Sequence, residues 1–304
     1  MTPFPLDLHM HSNYSEDGEF RPNELVRQCK EAGIHVMAIA DHNCAQGCRT
    51  AMGEAKKAGI ICLPALEIDC QLHEVDLHLL GYGIDPERPE IQEIEQNIAR
   101  QTRTASHLRF EVVRQLGFVI QEEELYALSR KNYWHDSWSG ELFAEILLAK
   151  PEYENCELLK PYRSGGQRSD NPFVNFYWDY FAQGKICHAP MSFPDLVQTI
   201  QVIHSCGGKA VLAHPGNNLK NRFELLDEIV PLGLDGIEVF SSYHDRNTIE
   251  YFLRKTKEYS LFFTCGSDYH GKTKPAVRLG VHGCFISQDE IESQLVHAGL
   301  LSGM

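Results

Sequence analysis

The chain lacks any run approaching the ~18 uninterrupted apolar residues that a membrane-spanning helix needs. It also has no basic segment ahead of an apolar stretch at its N-terminus, so neither export nor a membrane partner is expected, and a cytoplasmic location is. C-x-x-C spacing is missing. Ten cysteines are scattered at 29, 44, 48, 62, 70, 156, 187, 206, 265 and 284, several within apolar runs, which argues against a disulfide framework or a zinc finger and for buried, reduced thiols. Cations are scarce: 28 Lys and Arg against 42 Asp and Glu leave a formal charge of -14. Wrapping of a long nucleic acid is driven by counterion release from phosphates met by Lys and Arg, so no long nucleic acid is expected as partner. A small anionic substrate remains open if metal cations reverse the sign locally. Internal repeats and low-complexity segments are absent too.

What is present is an ordinary globular composition, 43% hydrophobic and 23% charged over 304 residues, with 15 histidines. That length suits one large domain with an insertion, or two domains, and composition says nothing of the oligomeric state. The most informative stretch is Asp7-Leu-His-Met-His11, followed by Ser12, Ser15 and Asp17-Gly18. If Leu6 to Met10 is a strand, His9 and His11 point to one side about 7 Å apart, close enough to share a metal ion. Alone, such a pair is as readily decoration on a strand.

Further along, Pro22 opens a helix that ends near Gly33, and Val36 to Ala40 is a strand-length apolar run leading to Asp41-His42-Asn43. A helix over about 46–57 leads to strands at 60–64 and 65–69, and another strand surrounds His78. From about 86 to 185 the apolar spacing becomes helical, at Ile91, Ile94 and Ile98, then at Leu108, Val112, Val113 and Leu116, with further helices over 142–148 and 173–181. The alternating pattern resumes near His188, with helices predicted over 193–204, 223–230 and 247–258 and strands over 210–213, 236–240 and 261–264. The expected fold is therefore α/β around a mainly parallel sheet or barrel, with residues 1-85 and 186-304 forming a discontinuous barrel domain and 86-185 a helical insertion.

His9, His11, His42, Glu67, His78, His214, Asp268 and His270 all fall at or near the end of a strand-like run, and in a parallel barrel such ends converge on one face. With Asp17 they make nine candidate ligands, too many for one metal and suited to two or three divalent ions: Mn²⁺, Fe²⁺ or Zn²⁺. The segments DLHMHSNYSEDG, AIADHN, ALEID, DLHLLGYGID, VLAHPG, GIEVF and GSDYHG resemble, in order, those of the polymerase and histidinol phosphatase (PHP) superfamily of metal-dependent phosphoesterases. The resemblance covers about residues 7–85 and 190–285 and implies a distorted (β/α)7 barrel with a trinuclear metal centre. It places His9, His11, Glu67 and Asp268 on one ion, Glu67, His78 and His214 on a second, and Asp17, His42 and His270 on a third. A hydroxide bridging the first two would attack phosphorus. Family members often carry Ser-Asp-Gly after the H-x-H strand, whereas Ser15-Glu16-Asp17-Gly18 has an extra residue, so Glu16 is an alternative to Asp17.

Outside that set, Asp7 and Glu238 are candidates either to orient a ligand or to serve structure. His244, at another strand tip, is a candidate general acid or phosphate ligand, and Arg222 a candidate substrate-binding cation, with Arg168, Lys272 and Lys274 as other free cations. His35, His73, His107, His135, His204, His282 and His297 read as structural, and His188 is left open. The aromatics between Phe173 and Phe181 read as insertion core, with a base-stacking platform as the alternative. The expected activity is hydrolysis of a phosphomonoester of a small metabolite, a nucleotide or sugar phosphate, with the insertion roofing the metals. The alternatives are a phosphodiesterase acting on a cyclic phosphate or a short oligoribonucleotide, and a non-catalytic metal-binding accessory module.

Overall fold

A computed structural model describes residues 2–220 and 222–302. Strand β1 (Leu6–Met10) is buried along its whole length, as is β2 (Val36–Ile39); β2 is central, pairing in parallel with β1 on one side and with the short β3 (Ile61–Cys62) on the other. Covered on both faces, β2 reads as a continuous apolar run, whereas β1 alternates apolar residues with Asp7 and His9 and is legible by its period of two. Helices α1 (Pro22–Ala32) and α2 (Cys48–Ala58) make the crossovers. Proline in its first turn, the Glu24 carboxylate accepting the Arg21 N–H (2.8 Å), and left-handed Gly33 at its end bound α1.

The second sheet runs β4 (Ala65–Leu72), β5 (Val75–Tyr82), β6 (Lys209–Leu212), β7 (Gly236–Ser241) and β8 (Phe262–Gly266), in sequence order. Main-chain hydrogen bonds join the two sheets on both sides. Asp268 N–H donates to His9 O (2.7 Å) and His11 N–H to Tyr269 O (2.9 Å), while Asn43 N–H donates to Glu67 O (2.7 Å) and Glu67 N–H to Asp41 O (3.0 Å). The result is the expected distorted barrel.

Strand β5 is reversed. It pairs antiparallel with both neighbours, because only His73 and Glu74 separate it from β4 and a parallel return needs a crossover of a dozen residues or more. His78 therefore lies in mid-strand, not at a strand tip, and still reaches the common face from there.

Between β5 and β6 come α3 (Pro89–Gln115), α4 (Glu122–Ser129), α5 (Gly140–Ala149) and α6 (Pro172–Tyr180), which share an apolar core of Phe110, Val113, Trp138, Phe143, Leu147 and Phe181. Helix α3 also reaches the barrel core through Ile91. Helix α7 (Leu196–Ser205), capped by Asp195, returns the chain to the barrel. The predicted helix over 223–230 is broken up: a 3-10 turn (Phe223–Leu225), α9 (Leu226–Ile229) and another 3-10 turn, preceded by the short α8 (Pro215–Asn218). Helix α10 (Arg246–Tyr259) is capped by Asp245, and α11 (Gln288–His297), beyond the segments predicted from sequence, is capped by Ser287 and buries Ile291 and Leu295 in the barrel core.

Candidate metal centre and its cavity

Glu67 is the hub. It projects from β4, fully buried, and its two carboxylate oxygens meet five imidazoles. Oε2 lies 3.2 Å from His9 Nε2, 3.3 Å from His11 Nε2 and 3.3 Å from His42 Nδ1. Oε1 lies 2.9 Å from His78 Nδ1 and 3.0 Å from His214 Nε2. Asp268 Oδ1 adds a second carboxylate, 3.0 Å from His11 Nε2 and 3.4 Å from His9 Nε2. Beyond His11, the His270 ring stacks at 4.0 Å, and its Nε2 lies 3.2 Å from Asp17 Oδ2.

The outer nitrogens are held by the chain. His9 Nδ1 pairs with Glu238 Oε1 (2.9 Å), His11 Nδ1 with Ser15 Oγ (3.0 Å), His214 Nδ1 with Asn218 Oδ1 (2.8 Å) and His270 Nδ1 with the carbonyl of Asp268 (2.9 Å). Such partners fix each ring's orientation and tautomer and leave the other nitrogen facing inward, as a metal ligand requires. Glu238 serves twice, since its Oε2 also accepts the His214 N–H at 2.8 Å. Asp7 holds main chain instead of a ring: Oδ1 accepts from Ser267 N–H and Oδ2 from Gly280 N–H. Asp41 accepts from Ser12 N–H and the hydroxyls of Ser12 and Ser15, fixing the turn that follows β1. In that turn Glu16 faces the insertion, while Asp17 reaches His270. Gly18 lets the turn close, since a Cβ there would lie 1.9 Å from Ser12 O.

Two candidate ligand positions also take uncommon backbone conformations. His214 has φ 24° and Asp268 φ 57°, each a departure of about 1–3 kcal/mol that persists only where the surroundings enforce it.

Burial opposes protonation of His9, but Glu238, Glu67 and Asp268 outweigh it and raise its pKa well above the usual imidazole value. His78, buried but beside Glu67 and Asp69, is raised to about 9. Burial, with His270 and His42 alongside, lowers His11 to about 3. Glu67 and Asp268 lie well below the carboxylate range despite burial, the first through His9 and His78, the second through Lys274 and His270. Lys274 is itself buried. Its Nζ donates to Asp268 Oδ2 (2.6 Å) and to Tyr243 Oη (2.6 Å), whose hydroxyl donates to the same oxygen (2.8 Å).

The donor set fits divalent ions. Three groups could each hold one: His9, Glu67, His214 and Asp268; His11, His42 and His270; and His42, Asp69 and His78. Four buried atoms of the cluster, Asp17 Oδ1, His42 Nδ1, Asp268 Oδ1 and His270 Nε2, make no well-aligned hydrogen bond despite the close contacts around them, a costly state that a bound cation relieves. Asp69 is a candidate missed in sequence. Its Oδ1 lies 3.3 Å from His78 Nε2 and 3.6 Å from His42 Nδ1, and its position two residues past Glu67 on the same strand face was the available signal.

A cavity opens onto this cluster. His42, Asp69, His78, His214 and Asp268 form its floor, and Thr102, Arg109, Trp134, Tyr177 and Trp178 of the helical segment are among its other walls. The aromatic run of α6 thus divides, with Phe176 and Phe181 packed in the core of that segment and Tyr177 and Trp178 at the cavity. His244 and Arg222 are not among the lining residues. The His244 ring is buried with Nδ1 against Val239 O (2.8 Å) and Nε2 accepting the Gly216 N–H (2.9 Å), and Arg222 is exposed.

A sequence profile of the PHP domain matches residues 7–178. The chain is 27% identical to a phosphoribosyl 1,2-cyclic phosphate 1,2-diphosphodiesterase of Eggerthella lenta, over 88% of this chain and 94% of that protein. It is 26% identical to a 3',5'-nucleoside bisphosphate phosphatase of Chromobacterium violaceum (87% of each) and 25% identical to a 5'-3' exoribonuclease of Haemophilus influenzae (87% and 89%). A crystal structure of a proposed metal-dependent phosphoesterase from Bifidobacterium adolescentis superposes with a TM-score of 0.76 at 28% identity, covering 97% of both chains. The similarity to exoribonucleases overturns the expectation that no long nucleic acid is a partner. Net charge bears on a surface that wraps a strand, whereas a strand end entering a cavity meets only the local field, whose sign bound cations set. No helix among the described residues is long and apolar enough to cross a membrane.

Proposed function

Because this chain belongs to the PHP domain family and is a metal-dependent phosphoesterase, we propose that it hydrolyses a phosphomonoester of a nucleotide or sugar phosphate. The observation that carries this reading is Glu67, one carboxylate shared among five inward-facing imidazoles. In the proposed centre His9, His11, Asp17, His42, Glu67, His78, His214, Asp268 and His270 hold the ions, and Asp69 is a further candidate ligand. When bound, divalent cations acidify water and offset the charge of the phosphate oxygens. The chain's own residues fix the imidazoles through Glu238, Ser15 and Asn218, and Lys274 with Tyr243 holds one oxygen of Asp268 so that the other faces the cluster. Residues 86–185 roof the cavity and choose what reaches it. The cytoplasm is the proposed compartment, since all ten cysteines are free thiols.

A second reading, attack on a phosphodiester, is favoured by the relatives that act on a cyclic phosphate or on RNA and by the Trp134, Tyr177 and Trp178 wall, which offers faces for a base. One panel tests both. Hydrolysis of nucleotide and sugar monoesters, read as phosphate release, and of a cyclic phosphate and an oligoribonucleotide, read as the ring-opened monoester and the shortened strand, is measured with Mn²⁺, beside folded Glu67→Ala and His78→Ala proteins. Full activity in those variants would refute the site assignment, and turnover confined to the diesters would replace the first reading with the second.

A further inference from the structure

Arg109 is a buried cation with almost nothing to hold. It lies on α3, only 8% exposed, and its guanidinium makes one hydrogen bond, from Nη1 to the carbonyl of Trp138 (3.2 Å). Its Nε is buried without a partner, and among the described residues no carboxylate comes within 4 Å to close an ion pair. A guanidinium carries five donors, and Arg is rarely buried unless paired. Glu16 and Glu141 share its cavity, yet neither is in ion-pair contact with it.

Its position suggests the missing partner. Ile98, Thr102 and Arg109 recur at spacings of four and seven, which puts them on one face of α3, and all three line the cavity whose floor is the metal-binding cluster. The other buried cation of that cavity, Lys274, is already occupied by Asp268 and Tyr243. An anionic group entering the cavity away from the cluster would find Arg109 alone with free donors. Planar N–H pairs suit phosphate oxygens.

We propose that Arg109 is a specificity determinant that binds a second phosphate of the substrate, apart from the phosphoryl group hydrolysed at the cluster. The preferred substrates are then ribosyl compounds carrying two phosphates. This rests on the phosphoesterase reading above and narrows it.

The test compares adenosine 3',5'-bisphosphate with 3'-AMP and 5'-AMP, which differ from it only by one phosphate. Wild-type protein should favour the bisphosphate by about 30-fold or more in kcat/KM, mainly through KM, and Arg109→Gln should bring that ratio to within about 3 of unity. Arg109→Lys, which keeps the charge and loses the planar fork, should fall between. Thermal melts of both variants confirm folding. Calorimetric titration of metal-free protein supplies a readout independent of turnover: the bisphosphate should bind at least about 10-fold more weakly to Arg109→Gln than to wild type. Equal treatment of bisphosphate and monophosphates by wild type, or an equal loss of kcat on both in the variants, would overturn the proposal. If no phosphoester were hydrolysed, the functional reading would fall, and the titration would still decide the role of Arg109.

Discussion

Replacing Lys274 by methionine separates the cationic work of the chain from that of the ions. Lys274 is 6% exposed and Asp268 2%, and the Nζ to Oδ2 distance is 2.6 Å, so the pair is desolvated on both sides. Removing one member of a buried pair strands the other, which costs about 3–5 kcal/mol. In chelator the variant should therefore unfold at lower urea, by a free energy in that range. Divalent ions change the balance because Asp268 Oδ1, the oxygen that Lys274 does not touch, is buried with no well-aligned hydrogen bond and faces the imidazoles of the cluster. A cation bound there supplies the charge that lysine no longer does. Removing the lysine also removes a repulsive neighbour of that cation, so the ions should stabilise Lys274→Met more than wild type, by a coupling of about 1–3 kcal/mol. The assay is four urea transitions, wild type and variant, in EDTA and in excess Mn²⁺. An equal loss in both conditions, or a smaller metal-induced gain in the variant, would refute the reasoning.

Other expectations are simpler. Glu67→Gln keeps the shape but not the charge that five imidazoles share, and bound metal measured by elemental analysis should fall by at least one ion per chain, with phosphate release reduced by about 10³ or more. Asp69→Asn should weaken metal binding by about 10–100-fold if Asp69 supports His78 and His42, and unchanged affinity in a metal titration would remove it from the centre. Burial next to Asp17 raises Glu141 to about 7 from 4.5, so the folded metal-free protein favours the protonated form and loses stability as pH rises from 4.5 through 7. Glu141→Gln should therefore be more stable than wild type at pH 8 by on the order of 2 kcal/mol, with the gain vanishing near pH 4, as read by denaturation at both pH values. In Gly266→Ala the new Cβ would lie 2.2 Å from the Cβ of His9 and 2.6 Å from Glu238 Oε1, so soluble protein, if obtained, should show a weakened metal-dependent shift in melting temperature.

The parts of the site that sequence reveals are those governed by period. His9 and His11 alternate on β1, and His42, His214, Asp268 and His270 follow apolar runs that had to be buried strands. The reversal of β5 is hidden because its tight turn has no Asn-Gly or Asp-Gly signal, the left-handed position being taken by His73 at φ 55°. Arg109 is hidden for another reason. A charged residue on an amphipathic helix reads as solvated, and only the packing of α3 over the barrel makes it a buried cation. Tyr243 and Lys274 meet Asp268 from 25 and 6 residues away through loops that no period describes. His244 shows the converse, since it follows a strand tip, yet its ring is turned back onto its own backbone.

The reversed strand has an architectural consequence. Tyr82, the end of β5, pairs with Lys209, the start of β6, so the chain leaves the barrel at the pole opposite the candidate ligands. Helix α3 must then climb the barrel wall, and its 27 residues, about 40 Å of rise, run from Ile91 in the barrel core past the cavity to Val113 under the roof. The ceiling is thus carried by a strut whose length is counted in residues. Whole turns added below Ile98 would lift it by about 5.4 Å each while Ile98, Thr102 and Arg109 kept facing inward, whereas a single added residue would swing that face by about 100°. Headroom over the same cluster can change in steps of that size without altering any candidate ligand.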